Sequence, residues 1–104
     1  MTAAQVVRAV PSGILAEVTG AAVRSVERWR AGVVPRRHAY VQRLDDLSAV
    51  LELLGPSLSN RGKQAWLTSR SPYLGFQRPV DVLAAGEFER VRGAVRAYVE
   101  GEPT

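Results

Sequence analysis

Tyr40-Val41-Gln42-Arg43-Leu44-Asp45-Asp46-Leu47-Ser48-Ala49-Val50-Leu51-Glu52-Leu53-Leu54 carries the strongest periodicity in the chain. Tyr40, Leu44, Leu47, Leu51 and Leu54 recur at steps of four, three, four and three, which lays them along one stripe of a long helix. Asp45 and Asp46, adjacent on that helix, are expected on its polar side. Gly55 and Pro56 end the segment and mark the best candidate boundary between a first half, 1–54, and a second, 55–104.

Working back toward the start, helical spacing continues. Ala3, Val6, Val7 and Val10 form one apolar face of a first helix, which Pro11 stops because it lacks an amide and restricts its predecessor. Ser12 is then placed to cap a second helix over 13–19. Gly20 supplies a tight turn, and Val23, Val26 and Trp29 carry a third apolar stripe up to Ala31, with Gly32 as the stop.

Beyond Pro56 the spacing predicts a helix around 58–68, a loop from Ser69 to Arg78, and a helix started by Pro79, with Asp81 complementing its dipole. A last helix after Gly86 carries Phe88, Val91, Val95 and Val99 on one side and frays from Gly101 to Thr104. No run alternates long enough to argue for a strand, so the expected fold is all-α, a small helical bundle. At 104 residues there is room for one compact domain or two very small ones.

Composition narrows the function. Hydrophobic residues make up 46% and charged residues 23%, ordinary values for a folded globular chain. The longest apolar stretches fall short of the roughly 20 residues a membrane helix needs, and the opening reads as a short helix, not a signal peptide. Cysteine is absent, which removes disulfides and thiolate metal sites, so a cytoplasmic protein with no membrane role is expected. His38 is the only histidine, Asp45 and Asp46 diverge, and no glycine-rich phosphate loop exists. No catalytic residue, metal ligand or cofactor is therefore assigned. The net charge is +4, with seven Arg against four acids in the first 48 residues, an excess that favours a polyanion.

A helix-turn-helix needs a small residue where its helices cross, a glycine at the turn and a buried aliphatic on the second helix. Ala16, Gly20 and Val26 meet those needs, with Leu15, Val18, Val23 and Trp29 as supporting core positions. The segment from Ser12 to Ala31 resembles the helix-turn-helix of the Xre and lambda-repressor type. On that reading Ala22, Arg24, Ser25 and Arg28 face operator DNA from the recognition helix, and Arg30, Arg36, Arg37 and His38 reach backbone phosphates. Glu27 places an acid among these arginines. A plain helical hairpin with a solvated basic face remains the alternative.

In the second half, Trp66-Leu67-Thr68-Ser69-Arg70-Ser71-Pro72-Tyr73-Leu74-Gly75-Phe76-Gln77-Arg78-Pro79-Val80-Asp81-Val82-Leu83-Ala84-Ala85-Gly86-Glu87 resembles the toxin-binding domain of the Xre/MbcA/ParS antitoxins. The shared pattern is Trp-Leu, a Leu-Gly turn, Pro-x-Asp followed by Val-Leu in place of Leu-Leu, a Gly, and a final helix bearing Val. Departures are Ser71 where Asn is frequent, Arg78 where a Thr often caps, and Val82 for one Leu. Trp66, Leu67, Leu74 and Leu83 read as core, Gly75 and Gly86 as turns.

The resemblance implies an antitoxin that binds and inhibits a RES-domain toxin, a class that depletes NAD, and itself uses no cofactor. Candidate toxin contacts are Tyr73, Phe76 and Arg78 in the loop. Tyr98, Gly101, Glu102, Pro103 and Thr104 join them by the position of the C-terminal end in related complexes. Pairing of half-sites implies a homodimer or a toxin–antitoxin hetero-oligomer. The alternative is a stand-alone regulator whose second half serves dimerisation, and an antitoxin that has lost DNA binding is a third reading.

Overall fold

Thr2 opens the first helix, α1 (Ala3–Ala9), with a capping box: its hydroxyl accepts from the Gln5 amide at 3.2 Å, and its own amide donates to Gln5 Oε1 at 2.8 Å. The computed structural model describes residues 1–101. Six further helices follow: α2 (Ser12–Thr19), α3 (Val23–Arg30), α4 (His38–Leu54), α5 (Asn60–Thr68), α6 (Pro79–Ala84) and α7 (Phe88–Val99). Of the described residues, 72% are helical, 3-10 turns included. Among the described residues the only β pairing is an isolated bridge between Ser71 and Gln77, so the all-α expectation holds.

The leucine-striped segment is the centre of the molecule. Leu44, Leu47, Val50 and Leu54 are fully buried and Leu51 nearly so, with α1 and α2 packed on one flank of α4 and α7 on another. Helices on several sides shrink the polar face of α4. Asp45 is exposed as expected, but Asp46 is buried, a correction forced by this packing. Its carboxylate accepts from Gln42 Nε2 and Arg43 Nη1, both at 3.1 Å, which offsets the cost of removing the charge from water.

The residues on either side of Gly55 share one continuous core. Buried side chains from Val6 to Val95 form a single cluster, and α2 packs directly on α6. Three more expectations need revision. Pro11, not Ser12, occupies the N-cap of α2, and Ser12 is the first residue inside the helix. Val23 is 53% exposed because α3 has only eight residues and its buried pair is Val26 and Trp29, with Ala21 filling the space before them. Val99 is 46% exposed: Ala94 and Ala97 join Val91 and Val95 in the buried face of α7, which turns Val99 outward. Trp66 sits half-buried at the rim of the core, its ring 6.3 Å from that of Tyr98, while Leu67 and Leu83 are fully buried. No helix is long and apolar enough to cross a membrane among the described residues.

Candidate functional site

Helices α2 and α3 are joined through Gly20, whose amide donates to the Ala16 carbonyl at 2.8 Å and whose φ of 79° turns the chain out of α2. Leu15, Val18, Val26 and Trp29 bury the inner faces, and Ala16 lies half-buried at the crossing. On the outer side, Ala22, Arg24, Glu27 and Arg28 are exposed and Ser25 is half-buried. Among the described residues, carboxylate ion pairs engage Arg43, Arg78, Arg90 and Arg92 but not Arg24, Arg28, Arg36 or Arg37.

The basic cluster predicted past α3 splits in two. Arg36 and Arg37 line a cleft of about 410 Å³ together with Ser25, Arg28 and Tyr40, between α3 and the start of α4. Arg37 lies 5.5 Å from the Tyr40 ring, which in turn tilts against Trp29 at 5.4 Å. Arg30 does something else. Its Nη1 donates to the carbonyls of Val7 at 3.1 Å and Val10 at 2.8 Å, closing the open C-terminal end of α1. His38 is the exposed first residue of α4.

The loop between α5 and α6 is tied at several points. Ser71 N donates to Gln77 O at 3.0 Å, Phe76 N to Ser71 O at 2.8 Å, and Arg70 Nη1 to Phe76 O at 3.1 Å. Arg90 on α7 adds a bond to Gln77 Oε1 at 3.1 Å. This bracing holds Phe76 at φ 65°, the one non-glycine residue with positive φ among the described residues, while the residue is 64% exposed. Tyr73 is 51% exposed and lies over Gly93 of α7, where an added Cβ would come within 3.0 Å of the Tyr73 hydroxyl. A glycine inside a helix is costly, and at Gly93 that cost is offset because no Cβ would fit beneath the Tyr73 ring.

Arg78 bridges the halves. Its guanidinium donates to Asp81 at 2.9 Å through two nitrogens and to Glu17 of α2 at 3.3 Å. Those bonds, to Asp81 first and Glu17 second, raise the Arg78 pKa further above its ordinary value. The bond from Arg78 likewise holds the Asp81 carboxyl below its usual range. Glu17 gave no signal in the sequence, since only the fold brings it to Arg78. The remaining candidates are Tyr98, exposed at the rim beside Trp66, and Gly101, exposed at φ 78°. Glu102, Pro103 and Thr104 lie outside the described residues.

No family model matches the chain. Individual proteins do. It is 39% identical over 79 residues to the Mycobacterium tuberculosis protein named "Probable mycobacterial cidal antitoxin Rv3188", an alignment covering 75% of this chain and 66% of that one. It is 33% identical over 85 residues to the mycobacterial cidal antitoxin MbcA of Mycobacterium bovis, covering 82% of this chain and 75% of MbcA. The chain belongs to the MbcA antitoxin family. The fold of this MbcA-family chain also matches a chain of the crystal structure of the M. tuberculosis MbcT–MbcA toxin–antitoxin complex, with a TM-score of 0.75 and 33% identity over 92% of this chain and 87% of the other. The resemblance seen in Trp66–Glu87 is thus borne out for the family.

Proposed function

We propose that this antitoxin neutralises a RES-domain, NAD-depleting toxin by docking its second half on it, and represses its own operon through α2 and α3. The observation that carries the toxin half is the likeness, over 92% of the chain, to a chain solved in a toxin–antitoxin complex. Tyr73, Phe76 and Arg78, with the Tyr98–Thr104 end, are the contacts proposed for it. The DNA half rests on four arginines without carboxylate partners among the described residues, Arg24 and Arg28 on α3 and Arg36 and Arg37 beside it, facing outward from a helix-turn-helix. Pairing of two chains on two half-sites would supply the affinity that one small module lacks.

Co-expression of the chain with the product of its neighbouring gene tests the toxin half. Rescue of growth and co-purification are expected, and rescue is expected to weaken when 98–104 are deleted. A neighbour that is neither toxic nor bound would leave a stand-alone regulator. Gel shift on the chain's own promoter tests the other half: no shift at low salt, or an undiminished one with Arg24→Ala/Arg28→Ala, would remove the DNA role.

A further inference from the structure

Glu27 is an acid on the outward face of α3, where a polyanion would be expected to meet only cations. At about 100° per residue, Arg24, Glu27 and Arg28 fall within one arc of about 100°, opposite the buried Val26 and Trp29. The three span about 6 Å along the axis, the height of about two base-pair steps. An acid with an arginine at i−3 is placed to pair with it across one helical turn. Among the described residues it does not: no basic side chain lies within ion-pair distance of Glu27. Its Oε1 instead accepts from the hydroxyl of Ser12, at the start of α2. That bond fixes the carboxylate from one side, and Oε2 has no side-chain donor among the described residues.

We infer that Glu27 reads a cytosine in the operator, accepting a hydrogen bond from its N4 amino group in the major groove, with Ser12 as the residue that orients it. The inference rests on the DNA-binding reading of α2 and α3. The N4 amino group is the one donor that cytosine shows in the major groove, and a carboxylate is its natural acceptor, while arginine suits guanine O6 and N7. A face of Arg24, Glu27 and Arg28 therefore suits neighbouring guanine and cytosine edges. Phosphate attraction is left to Arg36 and Arg37 in the adjacent cleft. A carboxylate near phosphates lowers affinity for all DNA, so its presence on this face is explained when it discriminates between sequences.

The test is selection of duplexes from a randomised library by the full chain, as wild type, Glu27→Gln, Glu27→Ala and Ser12→Ala, each first matched for thermal melting. In the wild-type profile one position should prefer cytosine by roughly fivefold to a hundredfold. Glu27→Gln keeps an acceptor for Ser12 but presents an amide, and should move that one position toward adenine. Glu27→Ala should lose the preference there, retain the guanine positions and bind random DNA more tightly. Ser12→Ala should blunt the cytosine preference with Glu27 still present. Identical profiles for all four proteins, differing by one uniform affinity factor, would overturn the assignment and leave Glu27 as a tie between α2 and α3. A wild type that selects no sequence at all would remove the DNA reading itself.

Discussion

Phe76 offers a separation of stability from binding that few surface residues allow. Holding an L-residue in left-handed backbone costs about 1–2 kcal/mol, and Phe76 sits at φ 65°. The residue is 64% exposed, so only about a third of the roughly 1.5–3 kcal/mol available from burying a phenylalanine is realised, about 0.5–1 kcal/mol. Asparagine tolerates left-handed backbone far better. Phe76→Asn therefore exchanges a loss of about 0.5–1 kcal/mol for a relief of about 1 kcal/mol, and its melting temperature should stay within about 8 °C of wild type. Phe76→Ala keeps the strain, loses the ring, and should melt lower than Phe76→Asn.

If the strain serves docking, binding should behave oppositely. An aromatic anchor removed from an interface typically costs about 2 kcal/mol or more, near a thirtyfold rise in Kd. Differential scanning calorimetry of the free antitoxin and titration calorimetry against the toxin measure both quantities on the same samples. Wild-type affinity in Phe76→Asn would refute the docking role. A fall of 15 °C or more in its melting temperature, about twice the 8 °C allowed above, would refute the premise that the ring contributes little to the fold.

Four further expectations follow from the geometry. Arg36→Ala and Arg37→Ala should each lower the slope of log affinity against log salt by about 0.9 on duplex DNA. Arg30→Ala should leave the slope unchanged and reduce stability by about 1–2 kcal/mol, because the Val7 and Val10 carbonyls lose their donor. Asp81 has a folded-state pKa below its unfolded value, so its pairing with Arg78 stabilises above about pH 4 and that contribution is lost as pH falls further. The stability gap between wild type and Asp81→Asn, followed by urea unfolding, should shrink between about pH 6 and about pH 3, and a gap that widens would contradict the sign. Gly86→Ala should destabilise by about 1–2 kcal/mol through its φ of 82°. Its new Cβ would also lie 2.8 Å from Arg43 Nη2 and drive that side chain off Asp46, so the double variant with Arg43→Ala should lose less than the sum of the singles.

Much of the architecture was legible because helical period is a local property. The stripe from Tyr40 to Leu54, the turn at Gly20, the break at Gly55 and the start at Pro79 each depend on residues a few positions apart, and each appears where the spacing places it. The Trp-Leu to Gly-Glu segment carried the family for a related reason: its turn and core residues are set by short-range geometry.

Tertiary structure alone decided what each polar side chain does. Asp46 is buried since α1, α2, α6 and α7 crowd α4. Arg30 serves α1 because α3 crosses its end, and Glu17 meets Arg78 because α2 lies on α6. Val23 and Val99 carry apolar side chains but face water, since a stripe names a direction and only the packed neighbours say how wide the covered arc is. Period follows from the bonds of one helix; partners follow from which helices meet, and that is settled over separations no local pattern records.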